Sequence, residues 1–320
     1  AHLHPTAMKP QLDEDIQTAK KIVSFSITLI MIVSLAYTGF ILFDGDALTG
    51  YRPGDAALES QEVYRDLIQV DEVNLNGAGV TVCIVDSGLN PDHQDLDGLT
   101  ISKWQDFVGG ANNPYDDHGH GTSMAGILVA DGWMKGIAPK VELLVAKALA
   151  ENGTGDDTVV AEAIDWCAEN GAHIISLSLG GAPGILPFNF GTGRSSAQAA
   201  EDAMESGIFV IAAAGNDGGS DDDGDVATPC SETAVICVGG MTQSGTHWEG
   251  SSVGDNNGRI WPPMLPRSDP DKKPEVLAPG AEVPVLMAGG SGDGSWWGWA
   301  SGTSAATAWV SGGLALILEA

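Results

Sequence analysis

The run GVTVCIVDSG, residues 79–88, is short and apolar and is closed by an aspartate, a serine and a glycine. Apolar runs of this length without polar alternation are typical of strands that are buried on both faces of a parallel sheet. Further runs of the same character follow, and we interpret them as strands of the same sheet. They are residues 141–149, 172–180, 208–215 and 234–240.

Segments with helical periodicity lie between these runs. Residues 156–169 and 195–206 each place small apolar side chains on one helical face. Strands that alternate with amphipathic helices predict an α/β fold, with a mostly parallel central sheet and helices on both faces. In such folds the functional groups lie at the carboxyl ends of strands, so the residues that follow the apolar runs are the first candidates.

Three polar residues in glycine-rich surroundings supply the parts for nucleophilic acyl transfer. Asp86 ends the first run, His120 opens a helix-like segment in GHGTSMAG, and Ser304 lies in SGTSAATAWVSG. Each alone has an ordinary explanation, as a turn cap, a structural histidine or a loop serine. Together they provide a nucleophile, a base and a carboxylate that orients the base.

The chain resembles the subtilisin-like serine proteases over about residues 70–318. The order Asp, His, Ser is the order of that family, and the segments NPDHQDL, SLSLGG, AAAGND and VLAPG are similar to its landmarks. The resemblance implies a serine endopeptidase that acts on polypeptides through an acyl-enzyme intermediate. It also implies that the chemistry requires no cofactor.

The resemblance assigns a role to each motif residue. Ser304 is the nucleophile, His120 the general base and acid, and Asp86 the group that orients the imidazole. Asn216 matches the side chain of the oxyanion hole. Two short segments match the walls of the first specificity pocket, for which a broad preference for apolar or unbranched side chains is expected. They consist of Ser178, Leu179, Gly180 and Gly181 on one wall and Ala213, Ala214 and Gly215 on the other.

For calcium, the sequence departs from the family pattern. Asp95 falls where many members have a calcium ligand, but the stretch from His120 to Pro139 is too short for the loop that supplies the other ligands. The acidic run 221–225 lacks the alternating spacing of an EF-hand and is interpreted as a solvated loop, with calcium binding as the alternative. No metal site is therefore predicted, and structural Ca²⁺ stays an alternative.

Trp296, Trp297 and Trp299 lie in a glycine-rich loop shortly before Ser304. We favour packing against the domain as their role, because indole rings bury a large apolar area. The alternative is that they wall a subsite for the leaving side of the substrate.

The chain is strongly acidic, with 43 Asp and Glu residues against 14 Lys and Arg residues and a formal net charge of −29. Such a charge repels phosphate backbones, so nucleic-acid binding is not expected. A nucleotide-binding protein is disfavoured because no GxGxxG loop follows the first run. A catalytically silent binding or scaffold module at the membrane is the other alternative, and the presence of all three triad residues disfavours it.

The four cysteines are too few for a disulfide scaffold in a chain of 320 residues. Cys83 and Cys167 each lie in an apolar setting, and we expect both to be buried free thiols. Cys230 and Cys237 flank the short segment SETAVI. They can pair in an oxidising compartment, and free thiols are the equal alternative.

Residues 22–43 contain no charged residue and are long enough to cross a bilayer core of about 30 Å. We expect an uncleaved transmembrane anchor, with a cleaved signal sequence as the alternative. Lys9, Lys20 and Lys21 precede this span. The positive-inside rule therefore places residues 1–21 in the cytoplasm and the rest of the chain outside.

The expected organisation has four parts. A cytoplasmic segment covers residues 1–21, the anchor or signal sequence 22–43, a linker or leader that packs on the catalytic domain 44–76, and the catalytic domain 77–320. We expect this domain to be truncated, because the chain stops within the apolar helix-like run GGLALILEA. The protein is thus expected to be membrane-anchored with an extracytoplasmic catalytic domain, or secreted if the apolar span is cleaved.

Overall fold

The structure, a computed structural model, describes residues 8–44, 52–181, 193–221, 224–255, 265–289 and 296–320. The chain divides into two compact units, one within residues 1–51 and the other spanning Arg52–Ala320.

The described part of the first unit is one long helix, α1 (Met8–Asp44). Within it, Ile16–Gly39 is the one segment of the described chain that is long and apolar enough to cross a membrane. Its 24 residues reach about 36 Å at about 1.5 Å per residue. A signal sequence has the same properties, so the helix fits both interpretations of residues 22–43.

A seven-stranded sheet, in which every neighbouring pair is parallel, forms the centre of the second unit. Its strands are β1 (Thr81–Asp86), β2 (Ile101–Asp106), β3 (Glu142–Lys147), β4 (Ile174–Leu177), β5 (Phe209–Ala213), β6 (Ile236–Met241) and β7 (Val276–Pro279). They lie in the order β2-β3-β1-β4-β5-β6-β7. The predicted α/β fold is confirmed.

Helices cover both faces of the sheet. They are α2 (Asp55–Leu67), α3 (His120–Val129), α4 (Asp157–Glu169), α5 (Ser196–Glu205) and α6 (Thr303–Glu319). Alternate strand residues face opposite sides. Val82 and Ile84 of β1 belong to a core with α3 and α6, whereas Cys83 and Val85 belong to a core with α4 and α5. Buried on both faces, the strands are continuous apolar runs in the sequence.

Four strands lack this signature and were not predicted. The edge strand β2 is polar and partly exposed, and β7 has only four residues. The other two form an antiparallel hairpin of β8 (Val283–Leu286) and β9 (Trp297–Ala300). Strands β2, β7 and β9 are partly exposed and β8 contains Pro284, so none of the four shows the buried apolar run by which the others were found.

Helix α2, from the segment expected to be a leader, packs within the second unit. Tyr64 is fully buried, and its hydroxyl donates to the carbonyl oxygen of Ala281, just before β8. The side chain of Gln61 accepts a 2.6 Å hydrogen bond from the backbone N–H of Lys135. The boundaries proposed for residues 44–76 and 77–320 stay predictions.

All four cysteines are bonded. Cys83 of β1 pairs with Cys167 of α4, and Cys230 pairs with Cys237. The prediction that Cys83 and Cys167 are free thiols was wrong. Strand β1 and α4 share one core, which brings their Cα atoms within 5.8 Å, a separation that suits a disulfide. Two apolar settings separated by 84 residues contain no local sign of that contact.

Candidate active site

Asp86 is held rigidly at the carboxyl end of β1, a strand whose six residues are all buried. Its carbonyl oxygen accepts backbone hydrogen bonds from Ala148 at 2.8 Å and Leu149 at 3.2 Å, both just beyond β3. Its carboxylate oxygen Oδ1 accepts the backbone N–H of Ser87 at 2.7 Å. These hydrogen bonds fix both the backbone and the side chain of Asp86, independently of its contact with the imidazole.

His120, the first residue of α3, is bonded to this carboxylate. Its Nδ1 lies 2.7 Å from Oδ1 and 2.9 Å from Oδ2 of Asp86. An ionised carboxylate only accepts hydrogen bonds, so Nδ1 carries the proton and donates it. In the neutral ring this leaves Nε2 as a proton acceptor, the tautomer that a general base needs.

Two carboxylates control the proton affinity of the imidazole. Burial alone lowers the pKa of His120. The charge and hydrogen bond of Asp86, with the charge of Asp116, outweigh burial and raise the pKa above its ordinary value. A raised pKa makes the ring a better proton acceptor during attack by a nucleophile.

Glycines allow the aspartate strand and the histidine helix to approach closely. Gly88 has a positive φ of 118°, and a Cβ there would overlap the carbonyl oxygen of Tyr115. A Cβ at Gly121 would overlap the carbonyl oxygen of Gly88. Backbone therefore packs directly on backbone here, which explains why glycine surrounds both motif residues.

Ser304 is the second residue of α6 and contacts Ser178, the residue that follows β4. Its hydroxyl donates to the carbonyl oxygen of Ser178 at 2.8 Å, and the Ser178 hydroxyl donates to the carbonyl oxygen of Ser304 at 3.0 Å. Strands β1 and β4 are neighbours, with Ile84 opposite Ser176. Two residues further along, Asp86 ends β1 and Ser178 directly follows β4, so the Asp86–His120 pair and the Ser178–Ser304 pair lie at the carboxyl ends of adjacent strands.

Asn216 lies beside the nucleophile with its amide orientation fixed. Its Oδ1 accepts hydrogen bonds from the backbone N–H of Thr303 at 2.8 Å and from the Thr303 hydroxyl at 3.1 Å. Those donors require an oxygen, so Nδ2 points the other way. A Cβ built on Gly302 would lie 3.4 Å from Nδ2 and 3.7 Å from Oδ1 of Asn216, and 3.8 Å from the backbone nitrogen of Ser304. Nδ2 and the backbone nitrogen of Ser304 therefore lie close to the same point beside Gly302.

The two predicted pocket walls are joined by a third segment. Gly181 exchanges two backbone hydrogen bonds with Thr228, at 2.9 and 3.0 Å, and the carbonyl oxygen of Ala214 accepts the N–H of Ala227 at 2.7 Å. A Cβ on Gly180 would lie only 2.7 Å from the methyl group of Ala227. Sequence reasoning missed Ala227 and Thr228, since nothing in their local sequence marks them.

Asp116 is a further residue that the sequence reasoning missed. Its carboxylate accepts hydrogen bonds from the Ser87 hydroxyl at 2.9 Å, the Gly119 N–H at 2.7 Å and the Thr122 hydroxyl at 2.7 Å. Burial raises the pKa of Asp116, but these bonds outweigh burial and hold the pKa below its usual range. The available signal was a pair of acidic residues within five positions of His120.

The residues at the expected calcium position do not fit a metal ion. Asp95 is buried, and its Oδ1 accepts the backbone N–H of Trp133 at 2.8 Å. Its Oδ2 accepts the N–H of Met134 at 3.0 Å and the indole N–H of Trp297 at 2.7 Å. A cation would need the oxygen lone pairs towards which these hydrogens point. Asp95 therefore belongs to a protein-only contact.

The acidic run is only partly described. Asp225 is buried and bound by the guanidinium group of Arg267 at 2.9 and 3.0 Å, so it is not part of a solvated loop. Asp222 and Asp223 lie outside the described residues. In the described part of the chain, no group of three or more His, Cys, Asp or Glu residues could hold a metal ion.

The tryptophans take the packing role that we favoured, with one exception. Trp297 is buried, and its ring lies edge-on to His93 at 5.6 Å between ring centroids. Trp296 makes the same kind of contact with His93 at 5.6 Å. Trp299 is 52% exposed.

Comparison with known families matches residues 77–320 to the Subtilase family. The chain is 34% identical over 266 residues to serine protease AprX of Bacillus subtilis (strain 168), a match that covers 77% of this chain and 58% of that protein. It is 32% identical over 259 residues to subtilisin DY of Bacillus licheniformis, covering 79% of this chain and 82% of the relative.

A solved structure, titled as that of a cold adapted subtilisin-like serine proteinase, superimposes with a TM-score of 0.61 at 27% identity. The match covers 77% of this chain and 78% of that one. The chain thus spans little more than half of AprX and most of subtilisin DY.

Proposed function

The chain belongs to the subtilase family of serine peptidases, and we propose that Asp86, His120 and Ser304 are the triad with which it cleaves peptide bonds as an endopeptidase. The observation that carries this proposal is the contact of both Asp86 carboxylate oxygens with Nδ1 of His120, at 2.7 and 2.9 Å. Ser304 is bonded to Ser178, which directly follows the adjacent strand β4.

The proposed reaction begins when the Ser304 hydroxyl turns from the carbonyl oxygen of Ser178 towards Nε2 of His120. Nε2 takes the hydroxyl proton as Oγ bonds to the scissile carbonyl carbon. The imidazolium, stabilised by Asp86, then protonates the leaving amine as the C–N bond breaks. Water hydrolyses the resulting acyl-enzyme by the same steps, with His120 again acting as base and acid.

The charge that develops on the carbonyl oxygen falls in the space beside Gly302. Nδ2 of Asn216 and the backbone N–H of Ser304 border this space. Ser304 lies in the first turn of α6, where unpaired N–H groups and the helix dipole favour negative charge. Since this charge exists only in the transition state, these donors accelerate the chemical step more than they strengthen substrate binding.

The substrate is proposed to bind as an extended peptide along residues 178–181, by backbone pairing. Its first side chain enters the space enclosed by residues 178–181, 213–215 and Ala227. These segments consist of serine, leucine, alanine and glycine and contain no charged residue, so an apolar or unbranched side chain is the expected occupant.

A fluorophosphonate probe tests the triad, because such reagents modify serines that a neighbouring base activates. We expect one adduct, mapped to Ser304 by peptide mass analysis. Ser304→Ala and His120→Ala should abolish labelling, and Ser301→Ala, a nearby serine outside the triad, should retain it. An adduct on another serine would contradict the assignment, and a correctly folded protein that is never labelled would support the silent scaffold instead.

Asn216 provides a second test of the same proposal. Asn216→Ala should lower kcat by about 100- to 1,000-fold with little change in KM, an effect known for this donor in subtilisin-type sites and carried over here. Steady-state kinetics on a chromogenic peptide measures both constants. A loss confined to KM would make Asn216 a substrate-positioning residue.

For localisation, we propose a membrane-anchored protein whose catalytic domain lies outside the cytoplasm. The apolar span in α1, the lysines that precede it and two disulfides in the second unit support this placement. Protease added to intact cells should digest the domain beyond residue 44, and alkaline carbonate should leave the full chain in the membrane pellet. A soluble product that begins near residue 45 would indicate a cleaved signal sequence.

A further inference from the structure

Lys147, the last residue of β3, is completely buried. Lysine is almost never fully buried unless its ammonium group is paired. In the register of β1 and β3, Lys147 lies opposite Asp86. Residues opposite one another in neighbouring strands extend from the same face of a sheet, so the two side chains leave it side by side.

The ammonium group has three acceptors, one for each of its hydrogens. Nζ donates to the carbonyl oxygen of Ser87 at 2.6 Å, to that of Leu149 at 2.9 Å and to the carboxylate of Asp117 at 2.6 Å. It also lies 4.8 Å from the centre of the Tyr115 ring. These contacts replace the water that the charge lost on burial.

Two of the three acceptors belong to the segments that carry the proposed acid–base pair. Ser87 directly follows Asp86, and Asp117 lies three residues before His120. One buried cation therefore connects the end of β1 to the loop that leads into α3. Catalysis by the pair depends on distances that an error of one ångström degrades strongly.

The same cation is set among carboxylates. Asp86 from β1 and Asp116 from the loop before α3 raise the pKa of His120 through their charge, and the ring of His118 in the same loop lies 6.3 Å from the imidazole. Asp117, also in that loop, is bonded to Lys147 from β3. A buried positive charge on the strand beside Asp86 acts against these carboxylates.

We propose that Lys147 is a positioning residue of the site. Its ammonium group ties the Asp86 strand end to the His120 loop and offsets the carboxylates around the imidazole. The proposal rests on the function assigned to the triad, but its electrostatic part concerns the Asp86–His120 pair and does not require turnover.

The test compares Lys147→Met with Lys140→Met. Lys140 is exposed and pairs with Asp131 at the surface at 3.1 Å, so it is a matched lysine outside the site. In a Ser304→Ala background, which cannot digest itself, NMR titration of His120 should show its pKa raised by about half a unit to one unit in Lys147→Met. With Ser304 present, kcat per fluorophosphonate-titrated site should fall about 10- to 100-fold, with KM changed less than about two-fold. Lys140→Met should alter neither quantity.

Asp117→Asn separates the two effects and serves if Lys147→Met does not fold. It loosens the loop but removes a negative charge, so kcat should fall while the pKa of His120 falls instead of rising. An unchanged pKa and kcat in a folded Lys147→Met protein, or in Asp117→Asn where that is the variant that folds, would overturn the role of Lys147. Failure of the probe to label the wild-type protein would instead refute the proposed function.

Discussion

Asp86, at the end of β1, and Asp95, on the segment that follows, are both buried carboxylates, but their partners differ in kind. Asp86 is bonded to a backbone N–H and to the imidazole of His120. Asp95 is bonded to two backbone N–H groups and an indole. Imidazole gains and loses a proton near neutral pH, whereas amide and indole do not. Burial alone therefore does not indicate function; a partner that can titrate does.

Asp86→Asn should have the largest effect on activity. The amide of asparagine would donate to Nδ1 of His120 and favour the wrong tautomer, so kcat should fall by about 10,000-fold. The buried volume hardly changes, so the melting temperature should stay close to that of the wild-type protein. Kinetics and thermal unfolding of the same preparation measure both, and a protein that keeps most of its kcat would contradict the role of Asp86.

Asp95→Ala should have the opposite profile. It leaves buried N–H groups of Trp133, Met134 and Trp297 without an acceptor, so unfolding free energy should fall by about 3 kcal/mol. The kcat per titrated active site should stay within about three-fold of wild type. Denaturant titration measures the loss, and Asp92→Ala, at an exposed neighbour, is the control.

Calcium sharpens the same test. Addition of Ca²⁺ or a chelator should shift the melting temperature of the wild-type protein and of Asp95→Ala by equal amounts. A shift seen in the wild-type protein and lost in the variant would show that Asp95 binds the ion.

Substitution of His93 should have the smallest effect on stability, because His93 contacts only the backbone N–H of Asp95 and not its carboxylate. Its Nδ1 accepts the backbone N–H of Asp95 at 3.1 Å, and Nε2 donates to the carbonyl oxygen of Trp296 at 2.7 Å, so the ring must be neutral. Burial lowers the pKa of His93, although the Trp296 carbonyl and the Asp95 charge act against it. Because the pKa of His93 is lower in the folded protein than in the unfolded chain, the stability that the neutral ring contributes is complete above about pH 6.5. It is lost as the pH falls towards the pKa of the folded protein.

The measurement is the slope of unfolding free energy against pH. Between about pH 6.5 and pH 5, His93→Gln should show a shallower slope than the wild-type protein. Equal slopes in the two proteins would show that His93 does not titrate differently in the folded and unfolded states.

The comparison also explains which parts of the molecule were predictable. Local sequence is enough to predict the buried strand β1, from its apolar run, and the residues Asp86, His120 and Ser304, from their glycine-rich motifs. The acceptor for Trp297 does not, because Asp95 is 202 positions away along the chain. Contacts of that kind follow from the topology and have no local pattern.

Lys147 and Cys83 show the same limit in different ways. Lys147 lies within the apolar run 141–149, but two of its three acceptors lie on other segments. Cys83 was correctly expected to be buried, yet its partner comes from a helix on the same face of the sheet. Burial was predictable from sequence, and pairing needed the fold.

The disulfide between Cys83 and Cys167 imposes an order on biosynthesis. Neither cysteine is accessible to solvent in the folded unit, so a thiol oxidase can reach the sulfurs only while the nascent chain is still open. Once β1 and α4 are packed together, an enzyme can neither make this bond nor reduce it without local unfolding. The oxidation state of Cys83, on the strand that ends in Asp86, is therefore set by the compartment in which the chain folds.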